Sequence, residues 1–387
     1  MSLDGPKLAR LETWDVVFGS VRLAFGMNCL ERLGELTGEL GGKRALLVTD
    51  PGNREAGHLD RAQRALKTSS IEAAVFEQAE QNPTTKHVGR GAEYAAEHRV
   101  DCIVALGGGS AMDCAKGINF LLTNGGRMED YQGLNKATRP MLPSIGIPTT
   151  AGTGSEAQSY ALISQAETRA KMACGDHRAK FRTVLLDPTT VASVPRSVAA
   201  VTGIDAVAHA VESYVTRQRN PISQMFAREA WRLLDGALTR VLSAPDDLEA
   251  WGRMLLGSYL AGAAIEHSML GAAHACANPL TARYDVTHGV AVGLMLPHVM
   301  RLNAASVGGL YNELSAASDC TETGRPLWER VCELRATAGL PEKLRDFRIP
   351  RKGLPELSQE AAEQWTAGFN PHPVTARELL ELYEAAY

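Results

Sequence analysis

The pattern of apolar residues changes near the middle of this chain, and that change limits the fold more than any other feature. Up to about Pro195, short apolar runs alternate with helix-like segments. Residues 45–49 form one such run, ended by Asp50-Pro51-Gly52. Residues 73–76 form a second; residues 101–106 run straight into Gly107-Gly108-Gly109, and residues 144–148 into Thr149-Thr150-Ala151-Gly152-Thr153-Gly154. Between them, 85–97 and 112–122 read as helices. Buried strands alternating with helices imply a mainly parallel sheet covered on both faces. Ligands of such sheets bind beyond the carboxyl ends of the strands, and here those ends carry Asp50, the triple glycine and the Thr/Gly run.

After Pro195 the β-branched runs thin out. Ala/Leu-rich helical patterns take over at 227–242, 248–267 and 290–303. The expected architecture is therefore an α/β N-terminal nucleotide-binding domain over residues 1–194 and an all-α C-terminal domain over 195–387. The stretch 318–325 reads as a loop. The tail from 354 to 387 reads as two short helices around Asn370-Pro371-His372-Pro373.

A chain of 387 residues suits two domains of ordinary size. Its formal net charge of -4 offers no basic footprint for nucleic acid. No stretch reads as apolar and charge-free enough to span a bilayer. Residues 1–7 lack the charged-then-apolar pattern of a signal peptide. The seven cysteines are scattered, with no CxxC pair, which points to reduced thiols of a cytoplasmic protein. Cys276 reads as core packing.

Two loops carry the chemistry of the first half. Gly107 to Asp113 follows a strand and opens a helix, where glycines let a phosphate approach the backbone and the helix end offers free N–H groups. It is not the GxGxxG fingerprint, and a tight turn would explain it equally well. The neighbouring Thr149–Ser155 loop adds hydroxyls and backbone donors, which favours the nucleotide. Asp50 is placed to accept from an adenosine ribose and to repel a 2′-phosphate, favouring NAD over NADP. The alternative is a turn-forming Asp before Pro-Gly.

The second half holds four polar side chains in apolar surroundings: Asp205, His209, His274 and His288. Asp205 and His209 stand four apart, so on a helix they project from one face. His274 lies in Leu270-Gly271-Ala272-Ala273-His274-Ala275-Cys276, and His288 where a turn feeds a new apolar helix. A carboxylate and three imidazoles suit a divalent transition metal; Fe(II), Zn(II), Mn(II) and Co(II) all fit such a set. His298 reads as structural, and His372, in a Pro-rich turn, as a surface or interdomain residue.

Together these pieces resemble the iron-containing, metal-dependent group III alcohol dehydrogenases. The resemblance runs through Val48-Thr49-Asp50, Asn82-Pro83-Thr84, Gly107-Gly108-Gly109-Ser110 with Asp113 and Lys116, and Ile147 to Glu156. It continues through Asp187-Pro188, Gly203-Ile204-Asp205-Ala206 with His209, His288-Gly289, Leu296-Pro297-His298 and Asn370-Pro371. It implies the architecture shared with dehydroquinate synthase, with the active site in a cleft between the two domains. It also implies metal ligands Asp205, His209, His274 and His288, with iron the first choice. The cofactor residues implied are Asp50, Asn82, Gly108, Gly109, Ser110, Asp113, Thr149, Thr150, Thr153 and Lys171. Many relatives carry a second histidine four residues after His274; this chain has Asn278, which cannot titrate. His267, seven residues before His274, would share its face if one helix ran through both, and so stands as a substitute proton carrier.

The implied activity is NAD(H)-linked, metal-dependent oxidation of a small alcohol, or reduction of the matching aldehyde or ketone. The alternatives are a hydroxyacid-oxoacid transhydrogenase and a dehydroquinate-synthase-like lyase. The lyase is disfavoured because its anionic phosphate substrate would call for several Lys and Arg around the ligands, where the chain offers mainly Ala, Gly, Leu and Met, with Arg283 the nearest cation in sequence. A homodimer or higher homo-oligomer is implied, with residues 15–18 as a pairing edge.

Overall fold

The computed structural model describes residues 11–318, 320 and 324–387. Residues 1–7, read above for a signal peptide, and the centre of the 318–325 stretch lie outside the described residues. The chain divides into two compact units. The first takes in the chain up to Thr150 together with Ser155–Val194; the second takes in Ala151–Gly154 and Pro195–Tyr387.

The strands of the first unit are β1 (Trp14–Phe18), β2 (Val21–Phe25), β3 (Arg44–Val48), β4 (Glu72–Phe76), β5 (Cys102–Gly107), β6 (Gly133–Leu134), β7 (Ser144–Pro148), β8 (Tyr160–Ser164), β9 (Lys171–Gly175) and β10 (Thr183–Leu186). Its helices are α1 (Leu33–Glu39), α2 (Pro51–Glu55), α3 (His58–Thr68), α4 (Thr85–Glu97), α5 (Gly109–Asn124) and α6 (Pro188–Val191). Seven strands form one sheet in the order β1-β2-β10-β7-β5-β3-β4, parallel except for the β1–β2 hairpin. Alternation along the central strands supplies two faces. Ala45, Leu47, Val104, Leu106, Ile145, Ile147 and Leu185 share one core with Leu33, Leu36, Leu59 and Leu66 of α1 and α3. On β5, Ile103 and Ala105 point the other way and are fully buried, and α5 packs on that strand and on α4. A smaller sheet, β6-β9-β8, completes the unit. The crossovers bring the ends of β3, β5 and β7 side by side, so the loops after Val48, Gly107 and Pro148 are neighbours.

The second unit contains no strand among its described residues. Its helices are α7 (Arg196–Val215), α8 (Pro221–Ser243), α9 (Leu248–Glu266), α10 (Ala272–Tyr284), α11 (His288–Ser315), α12 (Leu327–Thr337), α13 (Leu354–Glu363) and α14 (Ala376–Ala386). α7 packs against α8, α9 and α11 and is buried almost all round from Ala199 to its end. That is the signature of a core helix, so every polar side chain on it needs a partner.

Two expectations need correction. α11 is long and apolar enough to cross a membrane, contrary to the sequence reading, but 67% of its apolar stretch is buried inside the protein. It is apolar because it is wrapped by α7, α10, α12 and α14. Secondly, no single helix carries His267 and His274. α9 ends at Glu266 and α10 starts at Ala272. Ser268 turns its hydroxyl back to the Ala264 carbonyl (2.6 Å), and Gly271 stands as the N-cap of the next helix.

Candidate metal centre and cofactor loops

Three elements of the second unit converge on one oxygen. Asp205 and His209 sit a turn apart on α7, His274 in the first turn of α10, and His288 at the first position of α11. Asp205 Oδ1 lies 3.6 Å from His209 Nε2, 3.6 Å from His274 Nε2 and 3.9 Å from His288 Nε2. These spacings are too long for hydrogen bonds. Two ligands each about 2.1 Å from one cation are separated by roughly 3.0–3.5 Å, close to what is seen here. Asp205 Oδ1 and His274 Nε2 are both buried and without a hydrogen-bond partner, an arrangement that costs free energy unless something occupies the space between them. The ligand atoms of Asp205, His209 and His274 all lie within 4.8 Å of one another.

The far sides of the rings are anchored. His209 Nδ1 lies 3.2 Å from the Gly152 carbonyl. His274 Nδ1 makes a very short contact with Glu212 Oε2. Both leave Nε2 facing Asp205, as second partners do at metal-bound histidines. Burial opposes charge on Asp205, but the surrounding imidazoles outweigh it and hold the carboxyl well below the ordinary carboxylate range. Burial pushes His209 down. For His274 burial acts the same way but is outweighed by Glu212 and Asp205, which push it up to about 9. Two buried carboxylates thus demand positive charge here, and a divalent cation among the four side chains would supply it. The residues fit a metal.

In the first unit, Gly108 is the N-cap of α5 and no side chain caps that helix. A Cβ on Gly108 would stand 3.0 Å from Thr150 Oγ1, so glycine leaves the helix end open beside that hydroxyl. Gly109 and Ser110 form the first turn of α5 and are partly exposed, as is Thr150, while Thr149 is buried with its amide on the Gly107 carbonyl. Asp50 caps α2, accepting from the Asn53 amide and from Asn53 Nδ2 (2.7 Å). A carboxylate has acceptor capacity beyond these two bonds. An open helix N-terminus flanked by hydroxyls fits a pyrophosphate.

Models of two families match the chain: "Iron-containing alcohol dehydrogenase" over residues 20–188, and "Fe-containing alcohol dehydrogenase family, C-terminal" over 199–387. The chain is 32% identical to the 1,3-propanediol dehydrogenase of Klebsiella pneumoniae over 94% of its own length and 96% of that protein's. It is 31% identical to the lactaldehyde reductase of Escherichia coli K12, covering 94% of this chain and 97% of the relative. A crystal structure of 1,3-propanediol oxidoreductase superposes with a TM-score of 0.92 at 31% identity, covering 97% of this chain and 100% of that one.

The chain belongs to the iron-containing alcohol dehydrogenase family. It is an alcohol oxidoreductase with the family's fold, an α/β N-terminal part followed by a helical C-terminal part. The family implies NAD and a divalent metal.

Within this family member, the remaining residues singled out from sequence fall in several places. Asp113 is buried in α5 and accepts from Ser155 Oγ (2.7 Å); burial pushes its carboxyl up, against the pull of Lys116. Lys116, fully buried, donates to the Ser155 carbonyl, Ser155 Oγ and the Tyr160 carbonyl. Asp113 and Lys116 therefore brace the Ser155 end of the Thr/Gly loop from beneath. Lys171 is exposed on β9, and Asn82 takes a left-handed turn (φ 54°) before α4. Thr153 is half-buried in the loop segment of the second unit. Asn278 donates to Gln364 Oε1 (3.0 Å). His267 is an exposed C-cap of α9, its ring against Phe226 and its carbonyl accepting from Asn220; the shared helix face that suggested a proton role does not exist. Sequence reasoning missed Glu212. It sits seven residues after Asp205 and three after His209, so the same helical spacing that paired those two would have found it.

Proposed function

We propose that this protein is a metal-dependent, NAD(H)-linked dehydrogenase of small alcohols, or reductase of the matching aldehydes and ketones. Asp205, His209, His274 and His288 would hold the metal, Fe(II) first and Zn(II) or Mn(II) as alternatives. The carrying observation is the convergence of three imidazole Nε2 atoms on the unpartnered, buried Asp205 Oδ1. The names of relatives, 1,3-propanediol dehydrogenase, lactaldehyde reductase and an NAD-dependent methanol dehydrogenase from Bacillus methanolicus, support a small substrate and NAD.

When bound, the cation supplies a Lewis acid for the substrate oxygen and NAD supplies a two-electron acceptor. The chain's residues orient and hold. Glu212 and the Gly152 carbonyl fix His274 and His209 with Nε2 turned to Asp205. The first turn of α5, with Ser110, Thr149 and Thr150, would bind the pyrophosphate. Asp50 would accept from a ribose and repel a 2′-phosphate, supporting NAD over NADP. Asn278, tied to Gln364, cannot relay a proton. We further propose a homodimer, a reading supported by the exposed β1 edge, and a cytoplasmic location, supported by free cysteines.

The test is anaerobic: metal-free protein is resupplied with Fe(II), Zn(II) or Mn(II), and NADH oxidation is followed over short aldehydes, ketones and oxo acids. His274→Ala is expected to lose bound metal and turnover while retaining NADH binding. Full turnover by that variant would sink the metal reading. Conversion of an oxo acid without net NADH change would move the assignment to a transhydrogenase.

A further inference from the structure

α10 has no capping side chain of its own. Its N-cap is Gly271, yet its first turn is buried and its amides must be satisfied. The partners come from far away in sequence. Asn370 Oδ1 accepts from the Ala272 amide (3.2 Å), and Glu212 Oε1 accepts from the Ala273 amide (2.8 Å). The other oxygen of Glu212 meets His274 Nδ1, one residue further on. A Cβ on Gly271 would lie 3.0 Å from both Asn370 Oδ1 and Glu212 Oε1, so glycine leaves room for both side chains to reach in. Glu212 is itself buried. A buried carboxylate spanning a helix end and an imidazole is expensive to maintain, and capping alone would need only one of its oxygens.

We propose that Glu212 is the positioning residue of the metal centre: one carboxylate oxygen fixes the end of α10 while the other accepts a hydrogen bond from His274 Nδ1–H, so that the neutral ring's Nε2 is bare and aimed at Asp205 Oδ1. This rests on the metal reading of the four-residue cluster. The chemistry follows from the two nitrogens of a neutral imidazole. One carries the proton and the other the lone pair, and the partner of the first decides which is which. Two acceptor oxygens perform both tasks without conflict. An amide in the same place cannot. If the carbonyl of Glu212→Gln keeps the Ala273 cap, its NH₂ faces Nδ1 and drives the ring proton to Nε2, where the cation must bind. If the amide flips, the ring is served and the α10 cap is lost.

The experiment uses full-length, metal-free protein titrated anaerobically with Zn(II) in competition with a chromophoric chelator. Parent, Glu212→Gln, Glu212→Asp and His274→Ala are compared. Co(II) absorption is recorded as a report on the ligand field. Glu212→Gln is expected to bind Zn(II) about 10- to 100-fold more weakly than the parent and to shift the Co(II) spectrum. Glu212→Asp keeps the charge but is one methylene shorter, so it is expected to recover part of that loss. A purely structural acid would lower the melting temperature and leave the affinity of the folded protein unchanged. The proposal is therefore overturned if Glu212→Gln matches the parent affinity or, should that variant not fold, if Glu212→Asp does. The control separates the two levels: parent affinity in His274→Ala would sink the metal reading itself. Loss in His274→Ala without loss in Glu212→Gln would sink only the role given to Glu212.

Discussion

Single residues in this protein are held by their surroundings in states that isolated side chains avoid. Lys116 is a cation sealed beside β8, and it survives because all three of its donors find acceptors. Glu156, next to its Ser155 partner, is the opposite case. It is buried, and its Oε1 has no partner. Burial pushes its carboxyl up from 4.5 to about 7, outweighing the Glu156 backbone amide and Lys116, which pull the other way. The folded protein thus keeps a proton that the unfolded chain releases near pH 4.5. Between about pH 4.5 and 7 the folded state binds more protons than the unfolded one, so stability falls as pH rises through that window. Glu156→Gln should remove that slope and be more stable than the parent above pH 7, by about 3 kcal/mol at most. Urea unfolding at several pH values checks this; parallel pH profiles for parent and variant would refute it. Nothing in the sequence around Glu156 signals its burial, since Gly154-Ser155-Glu156 reads as a polar loop.

At the scale of elements, the residues that read well were those whose partners lie nearby on one helix or strand. The strands before Asp50, Gly107 and Thr149, and the helix carrying Asp205 and His209, follow from local period and turn chemistry. The α9–α10 junction did not, because Ser268 to Leu270 continue an apolar pattern and only the Ser268 back-bond and Gly271 mark the break. The cap of α10 was hidden for a stronger reason: Asn370 is separated from Ala272 by 98 residues. The Asn-Pro pair near the end of the chain is visible in sequence, but its task is tertiary. Asn370 also exchanges bonds with Asn303 on α11 and donates to the His372 carbonyl. Asn370→Ala should therefore strip a cap and remove two of the buried hydrogen bonds of Asn303, costing about 2–3 kcal/mol. Hydrogen exchange should speed up at the amides of Ala272, Ala273 and His274. Unchanged protection there would show that the tail does not hold α10.

The whole molecule is less simply partitioned than a boundary at residue 195 suggests. Thr149 and Thr150 belong to the first unit, Ala151–Gly154 to the second, and Ser155 to the first again. Read as sequence, this is one Thr/Gly loop after a strand. Folded, its middle is part of the helical unit, where the Gly152 carbonyl meets His209 and Gly154 crosses Gly262 so closely that a Cβ on Gly262 would lie 2.2 Å from the Gly154 oxygen. Such contacts depend on two helices well along the chain, α7 for His209, 57 residues from Gly152, and α9 for Gly262, and leave no local pattern. The other molecule-scale feature is the free side of the large sheet. β1 is an edge strand, and among the described residues no strand pairs with its outer side. Val16 is 48% and Val17 68% exposed, while Asp15 is held by Arg22 and Arg32. Burial alone would not leave valines in water on an unguarded edge, which is a template for another strand. Self-pairing with a second copy would cover both the apolar side chains and the backbone groups in one two-fold contact. Val17→Glu places like charges against each other across that contact. Light scattering after gel filtration at about 10 µM, a concentration at which a dimer with a nanomolar dissociation constant stays assembled, should give a dimer for the parent and a monomer for the variant, with the melting temperature of the monomer lowered. A dimer that persists in Val17→Glu would mean that β1 is not the pairing edge.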